Sequence, residues 1–245
     1  MEVLMKHLKK IFISLLVIAL LAFGGFFVYT LDFYRADDVA IKALTTSQNV
    51  LIEVNDALVT FSPEQSSDVG IIFYPGGKVE HIAYSPLCNE LALNNYHVFL
   101  VKMPFNLAVF GINKADDIIS ANPEITSWYI AGHSLGGAMA SQYASENSQK
   151  IEGIVLLGAY VSSDLSPTNI KMLSVYGSED KILNQDSFIK TQTNNPPYTI
   201  YYEIAGGNHA YFGSYGEQNG DGLALINPEE QRLKTVMAII EMINP

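Results

Sequence analysis

The chain holds one cysteine, Cys88, in 245 residues, so no disulfide can close within it. That thiol and the five histidines never fall at zinc-ligand spacing, so no metal is expected. Cys88 lies in an apolar-periodic stretch, where a buried small hydrophobe is expected rather than a nucleophile. Charge is scarce too. Fourteen basic residues against 25 acidic ones leave a formal net charge of −11, with no Lys/Arg stripe. Phosphate backbones repel such a chain, so nucleic acid is not expected as a partner, and the acidity favours a soluble surface. Internal repeats and low-complexity tracts are absent. With 49% apolar residues, the chain is long enough for one well-cored domain.

What is present begins with an uncharged apolar run, Ile11 to Tyr29. At 1.5 Å per residue it spans roughly 28 Å, close to the ~30 Å hydrocarbon core of a bilayer. Lys6, Lys9 and Lys10 precede it; Asp32, Arg35, Asp37 and Asp38 follow it. The positive-inside rule then expects residues 1–10 in the cytoplasm, a transmembrane anchor over residues 11–30, and the rest outside. A cleaved signal peptide has a shorter apolar core ending in a small-residue site. Leu20-Leu21-Ala22 is a poor version of that site, so an uncleaved single-pass anchor in the cell membrane is favoured over secretion.

Residues 31–49 read as a connector with a helical stretch from Ala36 to Leu44, and residues 50–245 as the main domain. Two short strands, Val50 to Asn55 and Ala57 to Phe61, turn at Asn55-Asp56. Apolar strand-like runs follow at Val69–Tyr74, His97–Met103, Trp128–Ala131, Ile151–Leu157, Met172–Tyr176 and Tyr198–Ile204. They alternate with helical stretches near 79–94, 114–121, 136–148, 184–192 and 228–243. This alternation predicts an α/β domain with a mainly parallel sheet covered on both faces, its ligand beyond the carboxyl ends of the strands.

One strand, Trp128–Ala131, runs into Gly132-His133-Ser134-Leu135-Gly136, a G-x-S-x-G turn with a helix after it. Such a turn strains the serine backbone and lifts the hydroxyl out of the sheet, above a helix N-terminus whose dipole favours a developing oxyanion. A serine needs a base. In this arrangement the chain order is serine, acid, histidine, and only His209 follows Ser134. Strand Met172–Tyr176 ends in Gly177-Ser178-Glu179-Asp180, which nominates Asp180 as the acid, ahead of Glu179, Asp164 and Asp186. Strand Val69–Tyr74 ends in Pro75-Gly76-Gly77-Lys78. Oxyanion donors are therefore expected from Gly77 and Leu135, with Lys78 as the alternative to Gly77. Phe105 and Asn106 follow a strand's carboxyl end and are candidates for the pocket wall. Residues 217–222 faintly match a calcium loop, but Glu217 stands first and Pro228 twelfth, so a surface turn is expected.

These segments, together with Lys102–Ala108 and Gly206-Gly207-Asn208-His209-Ala210, resemble the α/β-hydrolase superfamily, most closely a bacterial group of membrane-anchored, dienelactone-hydrolase-like members. The resemblance covers nearly everything after the anchor. It implies the α/β-hydrolase fold and a hydrolase that uses no metal or organic cofactor. Dienelactone hydrolases proper carry cysteine, and haloalkane dehalogenases aspartate, where Ser134 stands, which points away from both substrates. The short segment between strands Ile151–Leu157 and Met172–Tyr176 leaves no room for a large helical lid. The expectation is a serine hydrolase acting on a small-molecule ester or related acyl compound through an acyl-enzyme. An acyltransferase with the same residues, or a non-catalytic binding module of this fold, are the alternatives.

Overall fold

The computed structural model describes residues 2–45, 49–65 and 67–244. Residues 46–48 of the expected connector therefore lie outside the described residues, as does Met1 ahead of the anchor. Two compact units are present, Met1–Phe33 and Tyr34–Pro245.

The first unit is one helix, α1 (Glu2–Leu31). Its stretch His7–Leu31 has 25 residues, within which an 18-residue window reaches a mean hydropathy of 2.8. At 1.5 Å per residue that is about 38 Å, long and apolar enough to cross a membrane.

The second unit opens on residues expected to be connector. The Tyr34 amide donates to the Lys78 carbonyl at 2.8 Å, and the Tyr34 carbonyl accepts from the Glu80 amide at 2.8 Å. A short helix, α2 (Asp38–Lys42), follows, capped by the Asp37 carboxylate, which accepts from the Val39 and Ala40 amides.

Eight strands then form one sheet: β1 (Val50–Val54), β2 (Leu58–Pro63), β3 (Val69–Tyr74), β4 (His97–Val101), β5 (Ser127–His133), β6 (Gly153–Leu157), β7 (Lys171–Gly177) and β8 (Thr199–Ile204). Their order is β1-β2-β4-β3-β5-β6-β7-β8. The β1–β2 and β2–β4 pairs are antiparallel and all others parallel. The α-helices that follow β3 are α3 (Ser85–Leu93), α4 (Lys114–Ala121), α5 (Leu135–Glu146), α6 (Gln185–Thr191) and, after the last strand, α7 (Pro228–Ile243). The helix expected near 79–94 is divided: a 3₁₀ turn over His81–Tyr84 precedes α3, whose first turn holds Pro86, a residue suited to a helix start rather than its interior.

Side chains alternate across the sheet with period two. Ile71 and Phe73 of β3 pack into a core with Leu87 and Leu91 of α3 and Val236 and Ile239 of α7. Ile72 and Tyr74 enter the opposite core with Ala140 and Tyr143 of α5. Both faces of the central strands are thus covered, as their near-continuous apolar runs demand, while the edge strands β1 and β8 stay largely exposed. Residues 158–170, between β6 and β7, contain no helix, in keeping with the absence of a large lid.

The chain leaves β3 for β4 on one side and returns to place β5 on the other. The sheet's topological switch point therefore lies between β3 and β5, whose ends are level at Tyr74 and Gly132.

Candidate active site

At that switch point β5 ends and α5 begins, with Ser134 between them at φ 52° and ψ −121°. A non-glycine residue in that region costs on the order of 1–3 kcal/mol and persists only where its surroundings hold it. Here the Ser134 amide donates to the Leu157 carbonyl at the end of β6, at 3.0 Å, and the Ser134 carbonyl accepts from Ala138 at 3.1 Å. Gly136 lets the first turn of α5 rest on the end of β3: a Cβ there would collide with the carbonyl oxygens of Tyr74 and Pro75.

Asp180 and His209 come from the loops after β7 and β8. Their side chains meet at 2.8 Å, His209 Nδ1 to Asp180 Oδ2, in a fully buried pair. The other carboxylate oxygen, Oδ1, accepts from the amides of Ile182 at 2.9 Å and Leu183 at 2.8 Å. Asp180 thus presents Oδ2 to the imidazole in a fixed orientation. The rival Glu179 faces outward and takes a hydrogen bond from the Ser178 hydroxyl at 3.0 Å. Asp164 and Asp186 are exposed. The remaining imidazole nitrogen, His209 Nε2, is buried and makes no hydrogen bond.

Ser134 and His209 line the same cavity, of about 280 Å³. Leu135 and Ala138 of α5, Gly158, Ala159 and Tyr160 after β6, and Ile182, Leu183 and Asn184 after β7 complete its wall. The wall carries no carboxylate, ammonium or guanidinium, so it suits an uncharged group. No cluster of metal-ligating side chains occurs among the described residues.

Gly77 lies against Leu135, within van der Waals reach of its side chain. The Leu135 amide, first in α5, has no acceptor within the helix. Lys78, the alternative to Gly77, has its amide engaged by the Asn106 carbonyl at 2.8 Å. Phe105 and Asn106 do not line the cavity, contrary to expectation. Both adopt left-handed backbone (φ 56° and 54°), and the Phe105 ring packs edge-on against Phe110. The reason is strand order: they follow β4, which β3 separates from β5, whereas the cavity opens on the β5-β6-β7 side. The Asn106 carbonyl instead accepts from the Lys78 amide.

A second buried network escaped the sequence reading. The Gly76 amide donates to the Tyr84 hydroxyl at 3.1 Å, and that hydroxyl lies 2.8 Å from His133 Nδ1. Burial pushes the Tyr84 phenol well above its ordinary pKa. Burial, then the charge of nearby His209, holds His133 well below the usual histidine range, with the His209 backbone acting in the opposite sense. Both groups are neutral near pH 7, so one proton is shared across the Tyr84–His133 contact, in the direction the His133 tautomer sets, while the Tyr84 oxygen accepts from Gly76. The His133 and His209 rings lie 4.5 Å apart, centroid to centroid. The only sequence signal was a histidine inside the elbow; nothing marked Tyr84 as its partner.

The sequence model described as "Alpha/beta hydrolase family" matches residues 70–233. No curated protein matches the chain. Among solved structures the fold is similar to a "predicted CIB-like hydrolase" from Thermoplasma acidophilum, at 17% identity and a TM-score of 0.58, over 78% of this chain and 98% of that one. It is similar to MGS-MChE2, an alpha/beta hydrolase enzyme from the metagenome of lagoon sediments at Mar Chica, Morocco. That match has 11% identity and a TM-score of 0.58, over 80% of this chain and 100% of the other. Est1E from Butyrivibrio proteoclasticus matches at 14% identity and a TM-score of 0.53, over 81% of this chain and 100% of that one.

Proposed function

We propose, from the premise that this chain belongs to the alpha/beta hydrolase family and is an enzyme, that it cleaves carboxylic esters or related acyl compounds through Ser134, His209 and Asp180. One observation carries the reading. A strained serine at a strand-to-helix turn shares a cavity with a histidine whose far nitrogen is held by a buried aspartate at 2.8 Å.

In this mechanism Ser134 Oγ attacks the substrate carbonyl carbon while His209 Nε2 takes its proton. Nε2 has no competing hydrogen bond, and such serine–histidine contacts often tighten only when substrate binds. Asp180 keeps the Nδ1–H tautomer and stabilises the imidazolium. The amides of Gly77 and Leu135 receive the oxyanion, at the positive end of α5. The tetrahedral intermediate collapses, the imidazolium protonates the departing alkoxide, and the acyl group stays on Ser134. Water repeats the sequence in reverse, returning Ser134 and a carboxylic acid. The uncharged wall suits a neutral acyl chain, and the absence of a lid helix leaves access open.

A fluorophosphonate probe applied to the full-length chain should label Ser134, and acyl esters of graded chain length should be hydrolysed. Ser134→Ala should abolish labelling and hydrolysis while the protein stays folded. Folded wild-type protein that takes no label and cleaves no ester defeats the reading.

The same proposal includes α1 as a membrane anchor with the hydrolase unit outside the cytoplasm, supported by the lysines ahead of the apolar stretch. Protease added to intact protoplasts should digest the hydrolase unit. Its survival under those conditions defeats the topology.

A further inference from the structure

The turn formed by residues 217–222 is bonded to both loops that carry the proposed acid and base. Asp221 Oδ2 accepts from the amide of Ala210, the residue after His209, at 2.8 Å. Its Oδ1 accepts from the amide of Lys181, the residue after Asp180, at 3.2 Å, and from Gly222 at 2.8 Å. We infer that Asp221 is a positioning residue that fixes His209 against Asp180 by holding the residue next to each in one carboxylate. The inference rests on the hydrolase reading above.

The need for such a clamp follows from the sheet. The β7–β8 ladder ends at Gly177 and Ile204, and the last backbone tie between the two loops is the Glu179 amide to the Gly207 carbonyl at 2.8 Å. Past that point Asp180 is held by amides of its own loop, which fix its orientation but not its distance from His209. Asp221 supplies the missing link between loops, with charge-assisted bonds stronger than neutral ones.

The turn is itself firmly placed. The Asp221 amide donates to the Gln218 carbonyl at 3.1 Å, and the Asn219 amide to the Tyr34 hydroxyl at 3.1 Å. Asn208 Nδ2, beside His209, donates to the Gly222 carbonyl at 2.9 Å. A Cβ on Gly222 would collide with the Glu179 carbonyl oxygen, so the turn lies directly on the acid's loop.

The test uses the full-length chain with p-nitrophenyl acetate and a fluorophosphonate. Asp221→Ala frees both loops and should lower kcat by about 10–100-fold, with KM within about threefold, because displacement of a reacting group by ~1 Å has effects of that size. Labelling of Ser134 should slow in parallel. Asp221→Asn should fall between wild type and Asp221→Ala. Two amides favour its oxygen at the Oδ1 position, so the Lys181 bond survives and only the Ala210 bond is lost. Folded Asp221→Ala with kcat within twofold of wild type, or with a change confined to KM, overturns the inference while the hydrolase reading stands. If Asp221→Ala does not fold, Asp221→Asn decides, and an unchanged kcat there overturns it. Wild-type protein inert to both reagents overturns the hydrolase reading and this inference with it.

Discussion

Replacing Asp180 with asparagine tests the proposed chemistry at nearly constant shape. The amides of Ile182 and Leu183 both point at Oδ1, at 2.9 and 2.8 Å. An asparagine keeps its carbonyl oxygen there, because turning its NH₂ toward two amides would leave two buried donors unsatisfied, at about 1–3 kcal/mol each. The NH₂ must then occupy the Oδ2 position, 2.8 Å from His209 Nδ1. It can only donate, so Nδ1 becomes the acceptor and the imidazole proton moves to Nε2. That nitrogen can no longer take the proton of Ser134. A wrong tautomer of this kind costs about 10⁴-fold in kcat in serine proteases, and ~10³–10⁴-fold is expected here. KM should change little, since the cavity wall is untouched. Glu179→Gln, at a side chain bonded only to the Ser178 hydroxyl, should stay within about twofold. Steady-state kinetics on an acyl ester, with thermal melts to verify folding, reads both. An Asp180→Asn variant within tenfold of wild type, or a Glu179→Gln variant that is the worse of the two, refutes the assignment and the tautomer argument.

The fold, and the meeting of Ser134, Asp180 and His209 in one candidate site, were legible because most of their signals are local. Strands β3 to β8 announce themselves as apolar runs, and the elbow as glycines around Ser134 at fixed spacing, since only glycine at 136 lets helix meet strand. Asp180 and His209 followed from chain order, a property of strand connectivity. The signal failed where a residue acts on backbone amides at no fixed sequence spacing. Asp221 is recognisable only once Lys181 and Ala210 are neighbours, and Tyr84 only once the Gly76 amide is seen to have no other acceptor. Phe105 and Asn106 were misplaced for a related reason. A position just past a strand end is not sufficient for lining this cavity, because strand order decides which ends adjoin it.

Tyr84→Phe leaves the buried Gly76 amide without an acceptor, a loss of about 1–3 kcal/mol, and loosens the loop that presents Gly77. Inhibition by a trifluoromethyl ketone, which mimics the oxyanion, should weaken by about 5–150-fold while KM moves less; equal effects on both would refute a role in the oxyanion loop. Acid should destabilise the fold through one buried and one half-buried histidine. His133 is held well below the usual range, and His81 is lowered to about 4, mainly by burial with Lys102 adding to it. In each case the folded-state pKa lies below the unfolded value of ~6.5. As pH falls below ~6.5 the unfolded chain takes up protons that the folded chain refuses, so stability present above that pH is lost on acidification. The slope reaches roughly 1.4 kcal/mol per pH unit for each such histidine, and the His81 contribution levels off only near pH 4, where the folded state also binds its proton. His81→Gln removes one of these protons, so denaturant midpoints measured from pH 7 down to pH 4 should fall less steeply than in wild type. Carboxylates are common to both proteins and, apart from Glu80, whose charge acts on His81, cancel from the difference. Parallel pH profiles for the variant and wild type would show that His81 takes up its proton equally in both states, and that its burial does not oppose charging.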